Sequence, residues 1–175
     1  MLDTFTIETS RLSIVVATEP ILEAALRGDK SLSAALGAKV DHGWTEFGDS
    51  IFRFSLEMIK KNPSDLIWWS YLPVLKEENV LIGSCGYKGP PDKEGIVEIG
   101  YEIAEAYRNR GLATELAKGL TDFAFTQAEV KAVKAHTLAA VNPSGSVLKK
   151  CGMKKVAELL DPEDGKVWQW IVYRD

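Results

Sequence analysis

Residues 97–114, VEIGYEIAEAYRNRGLAT, constrain the fold more than any other part of the chain. Val97, Ile99, Tyr101 and Ile103 alternate with Glu98, Gly100 and Glu102, the period of a strand with two unlike faces. Leu112, Leu116, Leu120 and Phe123 then recur at helical spacing, with Ala113, Ala117 and Ala124 beside them. Between the two lies Arg108-Asn109-Arg110-Gly111-Leu112-Ala113. A strand that turns directly into a helix leaves backbone N–H groups at the helix N-terminus without intrahelical acceptors, and such groups bind anions. Gly111 and the small Ala113 let a diphosphate lie against those amides, and Arg108 and Arg110 offer charge-assisted hydrogen bonds. Neither a G-x-G-x-x-G fingerprint nor the Gly-Lys-Ser/Thr ending of a Walker loop occurs in the chain.

The remaining sequence supplies one mixed α/β unit around this junction. With 175 residues the chain is long enough for one domain, residues 1–175, and too short for two ordinary ones. The net charge of −4 argues against a nucleic-acid partner. The basic cluster Lys149, Lys150, Lys154 and Lys155 reads as a solvated helix end. Cys85 and Cys151 belong to no metal-ligand spacing, which fits reduced, buried thiols and no metal. No basic, apolar leader opens the chain, and the most apolar run, 66–75, is interrupted by Ser70 and Pro73 and is too short to span a bilayer. The expectation is a cytoplasmic protein with no membrane partner.

Residues 4–7 and 12–16 read as two arms of a first strand broken at Thr9-Ser10-Arg11. Helices are expected over 19–27, with Thr18 as N-cap and Gly28 as stop, over 29–36, and over 50–60 before Asn62-Pro63. The stretch 37–48 is loop-like and carries Trp44 and Phe47. Residues 66–75 and 80–88 read as strands joined by Lys76-Glu77-Glu78-Asn79, and with the 97–103 strand they form an antiparallel meander. After the helix over 111–127, a strand at 133–138 completes a β-α-β unit with the anion-binding turn at its first junction. A shorter helix opens at Asn142-Pro143-Ser144-Gly145, with Ser144 read as a helix N-cap, and two strands, 154–160 and 166–173, close the chain. Trp168, Trp170 and Tyr173 on those last strands are explained equally well by an intramolecular core and by a homodimer.

Arg108, Gly111 and Ala113 resemble the R/Q-x-x-G-x-G/A motif of the GNAT superfamily of N-acetyltransferases. NPSGSVLKKCGM, residues 142–153, resembles the later motif of the same family, with Ser144 two residues after Asn142 where the family usually has three. The opening ETSRL is similar to that of the ribosomal-protein alanine N-acetyltransferase branch. The resemblance implies a mixed, mostly antiparallel sheet of about six to seven strands flanked by helices. It also implies acetyl-CoA as co-substrate and a primary amine as acceptor, on a protein N-terminus or a small molecule. The residues it assigns to the cofactor are Ile103, Ala104, Arg108, Asn109, Arg110, Gly111, Leu112, Ala113, Thr114 and Asn142. The helical region before the sheet, in this family, forms one wall of the acceptor site.

Direct acetyl transfer needs a neutral amine, a polarised thioester carbonyl and a proton for the departing thiolate. A strand carboxylate suits the first, and Glu98 is the candidate base with Glu102 the alternative on the same face. A backbone N–H near Ile103 or Ala104 would polarise the carbonyl, a role that rests wholly on the resemblance. Many relatives carry a tyrosine in the later helix as general acid, whereas this chain reads Leu148-Lys149-Lys150 there. Ser144, a water or simple thiolate release remain open. Cys151 reads as a small packed residue rather than a nucleophile, and His136 as a packed strand histidine. The missing tyrosine supports one rival reading, a non-catalytic acyl-CoA-binding module of the same fold.

Overall fold

The computed structural model describes residues 4–175. β1 (Thr6–Glu8) and β2 (Leu12–Val16) pair antiparallel with Ile7 opposite Ile14. The two segments expected as arms of one strand are therefore a hairpin. Its turn is closed by Thr9 N–H donating to the Leu12 carbonyl at 2.9 Å. Leu12, Ile14 and Val16 alternate inward and are fully buried, which holds β2 in register against the core.

Three helices follow: α1 (Glu19–Arg27), α2 (Asp29–Leu36) and α3 (Asp49–Lys61). Pro63 ends α3 because it lacks an N–H and biases Asn62 to extended backbone. Residues Pro63–Trp68 then form a 3-10 helix. That short helix takes Leu66, Ile67 and Trp68 out of the expected strand, so β3 (Ser70–Leu75) starts four residues later than the sequence suggested. β4 (Val80–Leu81) and β5 (Gly83–Tyr87) are two strands where one was expected, separated at Ile82. Then come β6 (Ile96–Ile103), α4 (Leu112–Thr126), β7 (Ala132–Leu138), α5 (Pro143–Lys150), β8 (Lys154–Asp161) and β9 (Gly165–Tyr173).

Among the described residues nine strands form one sheet in the order β1-β2-β3-β5-β6-β7-β9-β8, with β4 on β3. The count exceeds the expected six to seven because the first strand and the 80–88 strand are each divided. All pairs are antiparallel except β6 with β7. Leu112, Leu116 and Leu120 of α4 and Leu148 of α5 pack on one face, against Ile14, Val97 and Ile99. Leu22, Phe52 and Ile59 of the first three helices cover the other, against Leu72 and Leu81. Burying these side chains contributes roughly 1.5–3 kcal/mol each. Trp170 belongs to the first core, Trp168 packs partly buried against it, and Tyr173 stays exposed.

One irregularity positions the site. β6 pairs with β7 only at Ile96, Val97 and Glu98, opposite Ala132, Val133 and Lys134. β6 continues along β5 to Ile103, and β7 continues along β9 to Leu138. The sheet therefore opens beyond Glu98. Because the two strands are parallel, the turn into α4 and the turn into α5 flank the same end of that opening, the usual place for a ligand outside the carboxyl ends of parallel strands.

Candidate active site

Antiparallel pairing fixes which peptide groups face the opening. Lys88 N–H donates to the Glu98 carbonyl at 2.9 Å, and Ala104 N–H to the Ile82 carbonyl at 2.7 Å. The even-numbered residues of β6 thus turn their polar groups to the β5 side, and Tyr101 and Ile103 turn theirs to the opening. The Ala104 amide is already occupied. The Ile103 carbonyl accepts from Arg108 Nε at 2.9 Å, which leaves the Ile103 N–H as the donor at this end of the strand.

The turn itself combines two left-handed residues, Asn109 at φ 62° and Gly111 at φ 75°. Glycine takes that conformation without the clash a β-carbon brings, and asparagine is the side-chain-bearing residue that tolerates it best. Gly111 is the N-cap of α4 and offers no side chain to cap the helix. The first helical N–H with an acceptor is that of Glu115, bonded to the Gly111 carbonyl at 3.2 Å. The amides of Leu112, Ala113 and Thr114 precede it and are presented with the positive end of a 15-residue helix.

The two arginine side chains of the turn are engaged elsewhere. Arg108 also reaches Glu46 at 3.2 Å, and Arg110 pairs with Glu78 at 3.5 Å while lying 5.1 Å from the centre of the Tyr107 ring. A third arginine, Arg11, bonds the Arg110 carbonyl at 2.8 Å. The sequence contained Arg11 but no local pattern tied it to residue 110.

A cavity of ≈ 660 Å³ passes through the opening from one face of the sheet to the other. On the side of α3 it is lined by Phe47, Ile51, Phe54, Trp69, Ser84 and Glu102. On the side of α5 it meets Tyr101, Ser144 and Leu148; Glu163 and Asp164, from the β8–β9 turn whose Asp161 is near Lys88 and His136, complete the lining. Of the two loop aromatics, Trp44 is buried against Phe52 and only Phe47 reaches the cavity.

Asn142, rather than Ser144, caps α5: its Oδ1 accepts from Gly145 N–H at 2.9 Å. The Ser144 hydroxyl is thereby free to line the cavity. It faces Tyr101, whose Oη is buried and lies beyond hydrogen-bonding geometry with any described partner. Burial raises the Tyr101 pKa far above the usual phenol range, and the neighbouring Cys151 acts in the same direction, opposed by Ser144. This phenol stays protonated. The Trp69 Nε1, from a residue on the cavity wall, is a second buried polar atom without a partner among the described residues.

Glu98 and Glu102 share a face of β6, since the β5 register runs unbroken from Ile99 to Ile103. Their surroundings differ. Glu102 borders the cavity and accepts from Thr45 Oγ1, from Ser84 Oγ at 2.9 Å and from Glu46 N–H at 3.1 Å. Glu98 lies behind the cavity wall, with Lys88 Nζ at 2.9 Å and His136 Nδ1 at 2.7 Å, both on Oε1. Burial works to raise the Glu98 carboxyl, but hydrogen bonds from His136 and Lys88 and the Lys88 charge outweigh it and hold the group below the ordinary carboxylate value.

His136, read from sequence as packed, and Lys88 both line the cavity. The available signal was parity: Glu98 and His136 fall on the same face of neighbouring parallel strands once Glu98 is set opposite Lys134. The two thiols are inert by their surroundings. Cys85 is buried against the Tyr71 carbonyl and Cys151 contacts the Thr114 carbonyl at 3.6 Å, and burial raises the pKa of each. Among the described residues no group of three or more His, Cys, Asp or Glu side chains is disposed to hold a metal ion, and no helix is long and apolar enough to cross a membrane.

The family model of the acetyltransferase (GNAT) domain matches residues 22–154. An N-acetyltransferase of Bacillus subtilis, YjdG, is 29% identical over 132 residues, covering 74% of this chain and 78% of its own. The ribosomal-protein-S5-alanine acetyltransferase of Vibrio fischeri superposes with a TM-score of 0.69 at 15% identity, over 98% of this chain and 97% of that one. RimL, a ribosomal L7/L12 α-N-protein acetyltransferase solved in complex with coenzyme A, superposes with a TM-score of 0.70 at 13% identity, over 97% and 98%. At these identities the solved structures speak to the fold.

Proposed function

The chain belongs to the acetyltransferase (GNAT) family of acetyl-CoA-dependent enzymes, and on that premise we propose that it transfers the acetyl group directly to a primary amine presented by a protein N-terminus or a small molecule. The observation that carries this reading is the cavity at the opened sheet, lined by β6 at Tyr101 and Glu102, together with the uncapped N-terminus of α4 that follows the carboxyl end of that same strand. Acetyl-CoA enters from the α4–α5 side. Its diphosphate lies on the amides of Gly111, Leu112, Ala113 and Thr114, with Asn109 shaping the turn and Asn142 holding the facing helix end. Its pantetheine arm, which carries two amides of its own, continues along the Tyr101–Ile103 edge as an added strand would.

The acceptor enters from the side of α3. Glu102, Glu163 and Asp164 favour a cationic amine there, and Phe47, Phe54 and Trp69 offer an apolar wall to the group that bears it. The amine nitrogen attacks the thioester carbon, and the Ile103 N–H stabilises the charge that develops on the carbonyl oxygen. The C–N bond forms, the C–S bond breaks and the electron pair leaves on sulfur. The Ser144 and Tyr101 hydroxyls lie where a donor to that sulfur is needed. They take the place of the helix tyrosine that this sequence lacks.

Calorimetric titration with acetyl-CoA and with CoA, followed by a thiol-release screen over N-terminal peptides, polyamines and amino acids, tests the proposal. Saturable binding with thiol release for one acceptor class is the expected result. Binding without release for any amine would reduce the site to acyl-CoA capture, and no binding would remove the turn from the cofactor site.

A further inference from the structure

The Glu98 side chain lies outside the cavity lining, and its Oε1 is held by both Lys88 and His136. We propose that His136 Nε2 is the general base of acetyl transfer and that Glu98 is the residue that positions it, an inference that rests on the N-acetyltransferase reading above. The imidazole spans the distance between the buried carboxylate and the cavity. Its Nδ1 is 2.7 Å from Glu98 Oε1, so a neutral ring carries its proton on Nδ1 and directs the Nε2 lone pair outward. Nε2 has no hydrogen-bond partner among the described residues, and the ring is 23% exposed, open enough to receive a proton and still fixed.

The location fits the chemistry. His136 lies on β7 two residues past Lys134, the last residue paired with β6, so its ring stands where the sheet begins to open. It shares the face of Glu98 and Glu102, the side from which the acceptor enters. The charged groups around it are Glu98 on β6, Lys88 after β5, Lys134 on β7 and Asp161 on β8, which is within electrostatic reach of both Lys88 and His136. Glu163 and Asp164 share the cavity lining, and Gln169, directly opposite on β9, is uncharged. The Lys88 ammonium compensates the Glu98 charge and disfavours a second cation beside it, which favours the neutral form of an incoming amine.

In the reaction the acceptor nitrogen gives its electron pair to the thioester carbon and its proton to Nε2. The imidazolium that forms is stabilised through Nδ1 by Glu98, which itself stays ionised. The proton returns to solvent after the amide leaves, and the cycle requires no other reactant.

The test uses the full chain with the acceptor found by thiol release. His136→Ala is expected to lower kcat by about a hundredfold or more, with acetyl-CoA affinity by calorimetry unchanged. Added imidazole is expected to restore part of the lost rate by filling the vacated space. The acidic limb of the kcat profile should vanish in the variant, while the limb set by the acceptor's own amine persists. Glu98→Gln should lower kcat by a smaller factor and shift that acidic limb, as a positioning residue would. A His136→Ala rate within a few-fold of wild type, or a large loss that imidazole leaves untouched, would overturn the assignment. His136→Gln, which keeps a polar partner for Glu98, serves the same comparison if the alanine variant does not fold. Wild-type protein that releases no thiol with any amine would instead count against the transferase reading itself, so the two failures are distinguishable.

Discussion

Arg11 and Glu115, 104 positions apart in the chain, are joined by two hydrogen bonds of 2.6 Å, from the Arg11 N–H to Oε1 and from Nε to Oε2. Thr9 adds a third to the same carboxylate at 2.7 Å. The β1–β2 hairpin is in this way fastened to the first turn of α4, and Arg11 continues to the Arg110 carbonyl. Replacing Arg11 by Ala is expected to loosen the turn and weaken CoA binding by about tenfold, equivalent to about 1.4 kcal/mol, in a calorimetric titration.

The same contact sets a pH dependence. Burial tends to raise the Glu115 carboxyl, but hydrogen bonds from Thr9 and Arg11 outweigh it, so its folded pKa lies below the ordinary value of 4.5. A lowered carboxylate contributes stability that is complete above the unfolded value and is lost as pH falls through the folded one. Glu98 is lowered in the same direction. Melting temperature measured between about pH 3 and 6 should fall on acidification in the wild type, and less steeply in Glu115→Gln.

Gly111 tests the anion site. A β-carbon there would have its nearest neighbour, Arg11 Nη2, at 3.5 Å, so space is available and the cost is conformational. At φ 75° Gly111→Ala should lose about 1–2 kcal/mol and a few degrees of melting temperature. Gly111→Asp adds negative charge where the diphosphate is proposed to bind and should weaken CoA binding well beyond the alanine variant. Equal affinities for the two variants would place the phosphates elsewhere.

Asn142, and not Ser144, makes the side-chain cap bond of α5. Asn142→Ala should cost about 1 kcal/mol through loss of the α5 cap. Ser144→Ala removes no cap bond and should leave the melting temperature unchanged while lowering kcat. Thermal melts and turnover numbers of the two variants, measured together, separate capping from chemistry.

Tyr101→Phe removes a buried hydroxyl that has no described partner, so stability should hold or rise slightly. If the hydroxyl donates to the leaving sulfur, kcat falls about tenfold to a hundredfold. The wild type should also bind CoA more tightly than desulfo-CoA, a preference the variant should lose. An unchanged preference would leave the hydroxyl with no role at the sulfur.

Much of this architecture is legible in the chain because it is local. The alternation of residues 97–103, the helical spacing from Leu112 and the left-handed glycine between them state a strand, a turn and a helix without reference to anything distant. Helices α1 and α2 followed the same rules to the residue. Where local signals competed, the sequence was ambiguous. The apolar residues 66–68 fit a strand as well as a 3-10 turn, and either Asn142 or Ser144 suits a cap.

What the sequence by itself determined is the left-handed turn before α4, the order of the main elements and the mixed sheet with its β-α-β unit, since propensity, period and capping act within a few residues. Tertiary structure alone decided how far β6 pairs with β7. That extent opens the sheet, frees the Ile103 amide, turns Tyr101 toward Ser144 and sets His136 against Glu98. Such meetings depend on the register between strands distant in sequence, which is set by the packing of both faces of the sheet at once.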